Sequence, residues 1–212
     1  VSMSDEMTTA TVEILIVGGG PAGVMAGLLF ARAGISVCVL EKHADFFRDF
    51  RGDTVHPSTM EVLDQLGMLE RFLERPHERV TGARIRIAGC DYTVGDLSHL
   101  RTPAPFIAMV PQWEFLDFLR DEAEVYPGFS LRMEAEVTGL VEENGRVVGV
   151  RLADGSEERA GKLVLMADGR SSLVRRQNLL PLIQLGAPMD VLWFRLPKAD
   201  DGGKTLRGAI DS

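Results

Sequence analysis

The hydrophobic pattern along the chain switches between continuous apolar runs, helical spacing and strict alternation. Residues 12–17 (VEILIV) are almost uninterruptedly apolar, which suits a strand buried on both faces of a parallel sheet. GGGPAG follows directly, then residues 24–33 at helical spacing. Ala22, Ala26, Leu29 and Ala33 fall on one face, and the small residues there predict a helix lying close over the sheet. Gly34 stops that helix, and residues 36–40 (SVCVL) read as a second buried strand. Together they form a β-α-β unit whose crossover should be right-handed.

Residues 42–53 have no period and read as a loop. Ser58 and Glu61 have the spacing of a capping box, and Met60, Leu63 and Gly67 carry the following helix to its stop. Alternation dominates residues 80–110 (ARIRIAG, then CDYTVGD), a hairpin-rich insertion closed by Pro103, Pro105 and Pro111. Residues 112–124 (QWEFLDFLRDEAE) return to helical period. Three strands are predicted at 135–142, 146–153 and 156–160, joined by the hairpin dipeptides Asn144-Gly145 and Asp154-Gly155. Residues 162–166 (KLVLM) read as another buried parallel strand, running into ADGRSS and a short helix. Residues 189–196 (MDVLWFRL) read as a strand, the ending DDGGKTLRGAIDS is polar and glycine-rich, and the first eleven residues are an unpatterned tail. The order of elements predicts an α/β fold with an inserted antiparallel sheet.

Composition narrows the function. The 212 residues carry a formal charge of −8 without a basic run, which argues against a nucleic-acid partner. No apolar stretch approaches the ~20 residues of a membrane span. Cys38 and Cys90 cannot make a disulfide framework, and with no secretory leader in view a cytoplasmic compartment is expected. No C-x-x-C points to thiol redox chemistry, and His43, His56, His77 and His99 lack metal-ligand spacing, so no metal is expected and no catalytic side chain is assigned.

The strongest chemical signal is G-x-G-x-x-G at Gly18, Gly20 and Gly23, placed between a strand and a helix. The first glycine permits the tight turn, the second lets the backbone approach a pyrophosphate, and the third lets helix and strand pack closely. Pro21 and Ala22 open the helix, whose free N–H groups and dipole favour anions. Glu41 follows Gly23 by eighteen residues, at the end of the second strand and just before Lys42, where a carboxylate accepts ribose hydroxyls. FAD and NAD share this adenosine-ribose-pyrophosphate handle, so the residues alone leave the choice open.

Four further segments resemble the class A flavoprotein monooxygenases, the FAD-dependent aromatic hydroxylases similar to para-hydroxybenzoate hydroxylase. They are RGDTVHPSTMEVLDQLGML (51–69), MVPQWEFLDFL (109–119), AEVTGLVEENGRVVGV (135–150) and VLMADGRSSLVRR (164–176), the last similar to that family's D-G-x-x-S-x-x-R signature. The resemblance implies a Rossmann-type FAD/NAD(P)-binding domain with a β-meander and an inserted antiparallel β portion of a substrate domain. It divides the chain into an FAD-binding first part (1–79), a substrate-domain insertion (80–110), an FAD-binding second part (111–180) and the start of a substrate-domain sheet (181–212). It also implies that Arg51 meets the FAD phosphates or ribityl region and that Gln112 contacts the cofactor. Val137 would offer backbone groups to the adenine, and Asp168 and Gly169 would lie beside the pyrophosphate. The plainer readings are a solvated loop arginine, a first-turn helix residue, a strand core residue and a tight turn capped by Ser171 or Ser172.

The activity implied is hydroxylation of an aromatic or similarly electron-rich small molecule with NAD(P)H as co-substrate and O2, by a protein that leaves room for a homodimer. The insertion, with Tyr92 and Phe106, would form part of the substrate wall. A halogenase, a geranylgeranyl-reductase-like enzyme and a non-catalytic nucleotide-binding module are the alternatives. Members of the family are about twice this length and carry a later G-D motif absent here, so the sequence is expected to be a fragment or truncated product that binds FAD weakly or not at all and does not turn over alone.

Overall fold

A computed structural model describes residues 12–47, 53–181, 183, 186, 192 and 205–210. In chain order the elements are β1 (Val12–Val17), α1 (Pro21–Arg32), β2 (Val37–Leu40), β3 (Thr54–Val55), α2 (Pro57–Gln65), α3 (Leu69–Leu73), β4 (Glu78–Val80), β5 (Gly82–Ile87), β6 (Cys90–Asp96), β7 (Ile107–Met109), α4 (Gln112–Glu124), β8 (Phe129–Arg132), β9 (Val137–Glu143), β10 (Arg146–Leu152), β11 (Glu157–Met166), α5 (Leu173–Arg176) and β12 (Thr205–Ile210). They form two compact units, Val1–Phe47 with Leu116–Gln184 and Arg48–Phe115 with Leu185–Ser212, the division falling inside α4.

The first unit is built on one six-stranded sheet in the order β8-β2-β1-β11-β10-β9. β1 pairs in parallel with β2 on one side and β11 on the other, and β2 pairs in parallel with β8. Alternation in β1 sends Ile14 and Ile16 to one face, with Val37, Val39 and Ala31 of α1, and Leu15 and Val17 to the other, with Cys38, Leu40, Val137, Val150 and Leu152. Leu15 and Ile16 are wholly buried; each contributes roughly 1.5–3 kcal/mol through area removed from water.

α1 turns a different face to the sheet than the alanines predict. Its buried positions are Gly23, Val24, Gly27, Leu28 and Ala31, while Ala22 is exposed and Leu29 is 43% exposed. A Cβ at Gly27 would stand 2.8 Å from both Phe129 and Val39, so contact distance to the sheet selects the face. The strands predicted at 156–160 and 162–166 are one continuous strand, β11, which pairs antiparallel with β10 through Glu157–Arg159 and parallel with β1 through Leu163–Met166. Gly161 does not break it, because strand partners hold both halves. β8 (FSLR) alternates apolar and polar residues, with Ser130 and Arg132 outward, but four residues are too brief a pattern to stand out, and the strand is set by its pairing with β2.

The second unit holds two three-stranded sheets, β12-β5-β6 and β3-β7-β4. The β5–β6 hairpin forms where the alternating sequence predicts one, though its residues are mostly exposed, and turns at Ala88-Gly89, both with positive φ (47° and 80°). β3 and β4 both pair with β7, which ties residues 54–55 and 78–80 to 107–109; the compact division therefore groups 48–79 with the insertion. The capping box is not formed. α2 starts at Pro57, with His56 as N-cap and no side-chain cap, so Ser58 already lies inside the helix. Proline's fixed φ and missing N–H make it the better first helical residue and move the start two positions earlier than a cap at Ser58 would. The glycine-rich ending contains β12, parallel to β5. The strand predicted at 189–196 lies outside the described residues, except Leu192.

Candidate functional site

Chain direction determines where a ligand can enter the first unit. From β1 the chain crosses to β2 on one side, and β1's other neighbour is β11. Parallel sheets bind ligands at such a switch point, outside the carboxyl ends of the strands. Gly18 follows β1 there, and Ala167 and Asp168 follow β11. Gly18 has φ +106°, and a Cβ on it would stand 2.4 Å from the Ala167 carbonyl oxygen and 2.9 Å from the Asp168 Cα. Positive φ and a neighbouring backbone together demand glycine.

The other fingerprint glycines divide the work. A Cβ at Gly23 would fall 1.8 Å from the Gly18 carbonyl oxygen, so this glycine lets α1 close onto the loop. A Cβ at Gly20 would meet no protein atom within 4 Å. Gly20 is the N-cap of α1 and Pro21 is its first residue, so the open space lies where the helix presents N–H groups without intrahelical acceptors. The residues fit a pyrophosphate at this point.

Glu41 closes β2 and is 8% exposed, the one buried charged side chain among the described residues. Its Oε2 accepts the Gly19 N–H at 2.8 Å and its Oε1 accepts the His43 N–H at 3.1 Å. The His43 ring stands 3.9 Å from Oε1, and Lys42 is exposed. The segment before β9 runs alongside, with Ala135 N–H donating to the Glu41 carbonyl and Glu134 N–H to that of His43. Val137, two residues on, puts its side chain into the core and pairs with Leu152.

Beyond β11, Asp168 Oδ2 accepts the Leu173 N–H at 2.7 Å, Gly169 has φ +71°, and Ser172 Oγ accepts the Val174 N–H at 3.3 Å. Arg175 donates to the Arg170 carbonyl at 2.6 Å. The signature segment is thus a rigid turn with Ser172 as helix cap. Burial raises the Cys38 thiol above its ordinary pKa, leaving it inert within the core.

Gly18, Gly20, Pro21, Ala22, Gly23, Glu41, Asp168 and Gly169 therefore meet at one end of one sheet, with Val137 on the strand that leaves Glu41. Gln112 opens α4 in the other unit, and Arg51 lies outside the described residues. Gly19 was not among the sequence candidates; three consecutive glycines where the fingerprint needs two were its signal. In the second unit Tyr92 is 52% exposed, whereas Phe106 is buried, with the Arg79 guanidinium 4.6 Å from its ring centroid and His77 stacked on it. Among the described residues there is no cluster of metal-ligating side chains and no helix long and apolar enough to cross a membrane.

Comparison with known proteins agrees with this geometry. The chain is 35% identical over 191 residues to a 6-methylpretetramide 4-monooxygenase of Streptomyces rimosus, covering 88% of this chain and 46% of that protein. It is 33% identical over 164 residues to a rifampicin monooxygenase of Streptomyces venezuelae, covering 77% and 33%. The chain thus spans half or less of the length of these relatives. In fold it matches the crystal structure of pqsL, a probable FAD-dependent monooxygenase from Pseudomonas aeruginosa, with a TM-score of 0.70 at 22% identity over 84% of this chain and 48% of that one. Residues 11–196 match the family model described as FAD binding domain, a span that includes the whole glycine loop, Glu41 and the Asp168-Gly169 turn, and the chain belongs to that family.

Proposed function

We propose that this chain supplies the FAD-holding part of an NAD(P)H- and O2-dependent monooxygenase that hydroxylates an aromatic or similarly electron-rich small molecule. The observation that carries the reading is the meeting of Gly18, Glu41 and Asp168 at the sheet's switch point, with open space at Gly20. Both sequence relatives named above are monooxygenases, which supports the reaction class.

Bound FAD supplies the redox chemistry and oxygen activation; the protein supplies position and electrostatics. Gly20 and the first-turn N–H groups of α1 at Ala22 and Gly23 face the pyrophosphate, with Pro21 fixing the start of the helix. Glu41 accepts from the adenosine ribose, and Lys42 adds an exposed cation beside it. Val137 offers its backbone to the adenine. Asp168 and Gly169 flank the pyrophosphate through a turn already locked by the Leu173 N–H. Arg51 and Gln112 serve the remainder of the cofactor, and residues 80–110, with Tyr92, contribute to the substrate compartment. A cytoplasmic location accords with the free thiols of Cys38 and Cys90.

Titration of the purified chain with FAD, followed by flavin fluorescence, tests the holding role. Saturation near one FAD per chain is expected, and no binding overturns it. For the protein that contains this chain, NAD(P)H oxidation coupled to hydroxylated product across a panel of phenols is expected. Cofactor binding with halogenated product, or with no oxidised product from any substrate, overturns the reaction class.

A further inference from the structure

We infer that Glu41 is a positioning residue for the glycine loop, holding the pyrophosphate donors in place independently of any contact it makes with the ribose. This rests on the reading that the loop binds the FAD pyrophosphate.

The loop from Gly18 to Gly23 makes a tight turn with few side chains to stiffen it. Its first two N–H groups are nonetheless committed: Gly18 donates to the Leu40 carbonyl at 2.8 Å and Gly19 to Glu41 Oε2 at 2.8 Å. Both acceptors belong to the end of β2, so that strand end braces the turn. The first bond is backbone to backbone and does not depend on the side chain at Leu40 or Glu41, whereas the second depends on the Glu41 side chain alone. The Glu41 carboxylate is itself held from the far side by the His43 N–H on Oε1 and is 8% exposed, so it is a fixed post. Contact reinforces the bond, since a Cβ at Gly19 would stand 2.8 Å from Glu41 Cβ and 3.1 Å from Oε2. A loop residue with a side chain could not approach this closely. The Gly19 N–H belongs to the Gly18–Gly19 peptide, so the bond fixes that plane toward β2, and the close packing of Gly19 on Glu41 restricts the path by which the chain enters Gly20 at the start of α1. A charge-assisted hydrogen bond of this kind is about twice as strong as a neutral one. Its loss in Glu41→Ala would also leave the Gly19 N–H without that acceptor.

The sign of one measurement separates this role from a ribose contact. Inorganic pyrophosphate has no ribose. If Glu41 acts only on the ribose, deleting its negative charge leaves pyrophosphate affinity unchanged or raises it by relieving repulsion. If Glu41 braces the loop, the same deletion lowers that affinity. The experiment therefore compares wild type, E41A and E41Q by amide exchange at Gly19 and by pyrophosphate titration of the loop amides in NMR spectra. The brace predicts slow Gly19 exchange in wild type, loss of that protection in E41A, and restoration in E41Q, whose amide oxygen still accepts. It also predicts at least a fivefold weakening of pyrophosphate binding in E41A, largely restored in E41Q. Unchanged Gly19 protection in E41A, or pyrophosphate binding as tight as in wild type, overturns it. Should E41A not fold, E41D keeps the charge but draws the oxygen back by one methylene and is read in the same way. A wild-type chain that binds neither pyrophosphate nor FAD would overturn the proposed cofactor role, while Gly19 exchange would still decide the brace.

Discussion

Substituting Gly20 separates ligand geometry from fold. Gly20 has φ −74° and ψ −179°, extended backbone that any residue adopts, and an added Cβ meets no protein atom within 4 Å. Two small terms act on the unliganded chain when alanine replaces it. Fewer unfolded conformations stabilise by about 0.4–1 kcal/mol, and a poorer N-cap costs roughly 0.5–1 kcal/mol. They offset, so Gly20→Ala should shift Tm by no more than about 2 °C. FAD binding is another matter, because the new methyl fills the space the pyrophosphate requires; a loss of at least about tenfold, ~1.4 kcal/mol, is expected, and a larger one for Gly20→Val. Gly23→Ala is the control. Its Cβ would lie 1.8 Å from the Gly18 carbonyl oxygen, which is backbone and cannot rotate away. Overpacking of this kind costs about 1–3 kcal/mol or more, several degrees in Tm, even without ligand. Thermal unfolding without FAD and fluorescence titration with FAD give the two readouts. Wild-type FAD affinity in Gly20→Ala, or a Tm loss equal to that of Gly23→Ala, would refute the reasoning.

Three further outcomes are expected. Gly27→Leu should destabilise the chain by about 1–3 kcal/mol or more despite leucine's better helix propensity, because the space is already closed by Phe129 and Val39; urea unfolding measures it, and an unchanged midpoint counts against the assigned α1 face. A thiol reagent should modify exposed Cys90 at once and buried Cys38 only on unfolding, so release of two equivalents from the folded chain contradicts the core placement of β2. Ser156, through its hydroxyl and its N–H, holds the Asp154 carboxyl below its ordinary value. With the folded pKa depressed, this contribution is present above the ordinary carboxylate range and is lost as pH falls through the lowered value; an NMR titration midpoint at or above ~3.9 would contradict it.

Much of this molecule is written locally. β1 and α4 occupy the predicted residues, 12–17 and 112–124, because an uninterrupted apolar run and a helical period are each properties of a few neighbouring residues. Asn144-Gly145 turns with both φ values positive (52° and 74°), as those two residue types favour without help. The glycine loop and Glu41 were likewise legible, since their spacing follows from the length of one β-α-β unit. What pairs or packs at a distance was not. Whether α1 turns inward the face of Ala22, Leu29 and Ala33 or that of Gly23, Gly27 and Ala31 depends on Phe129, about a hundred residues later. β8 is only a four-residue alternation and β12 a polar, glycine-containing stretch, and both become strands because β2 and β5 offer edges to pair with. The Glu61 capping partner lost to Pro57, a competition between two local signals that backbone geometry decided. In the site, the sequence named the acid and the glycines. The bond between Glu41 and Gly19, and the approach of Ala167 to Gly18, arise only when β2 and β11 flank β1, because hydrogen bonds and contacts between residues far apart in the chain follow from sheet order rather than from spacing.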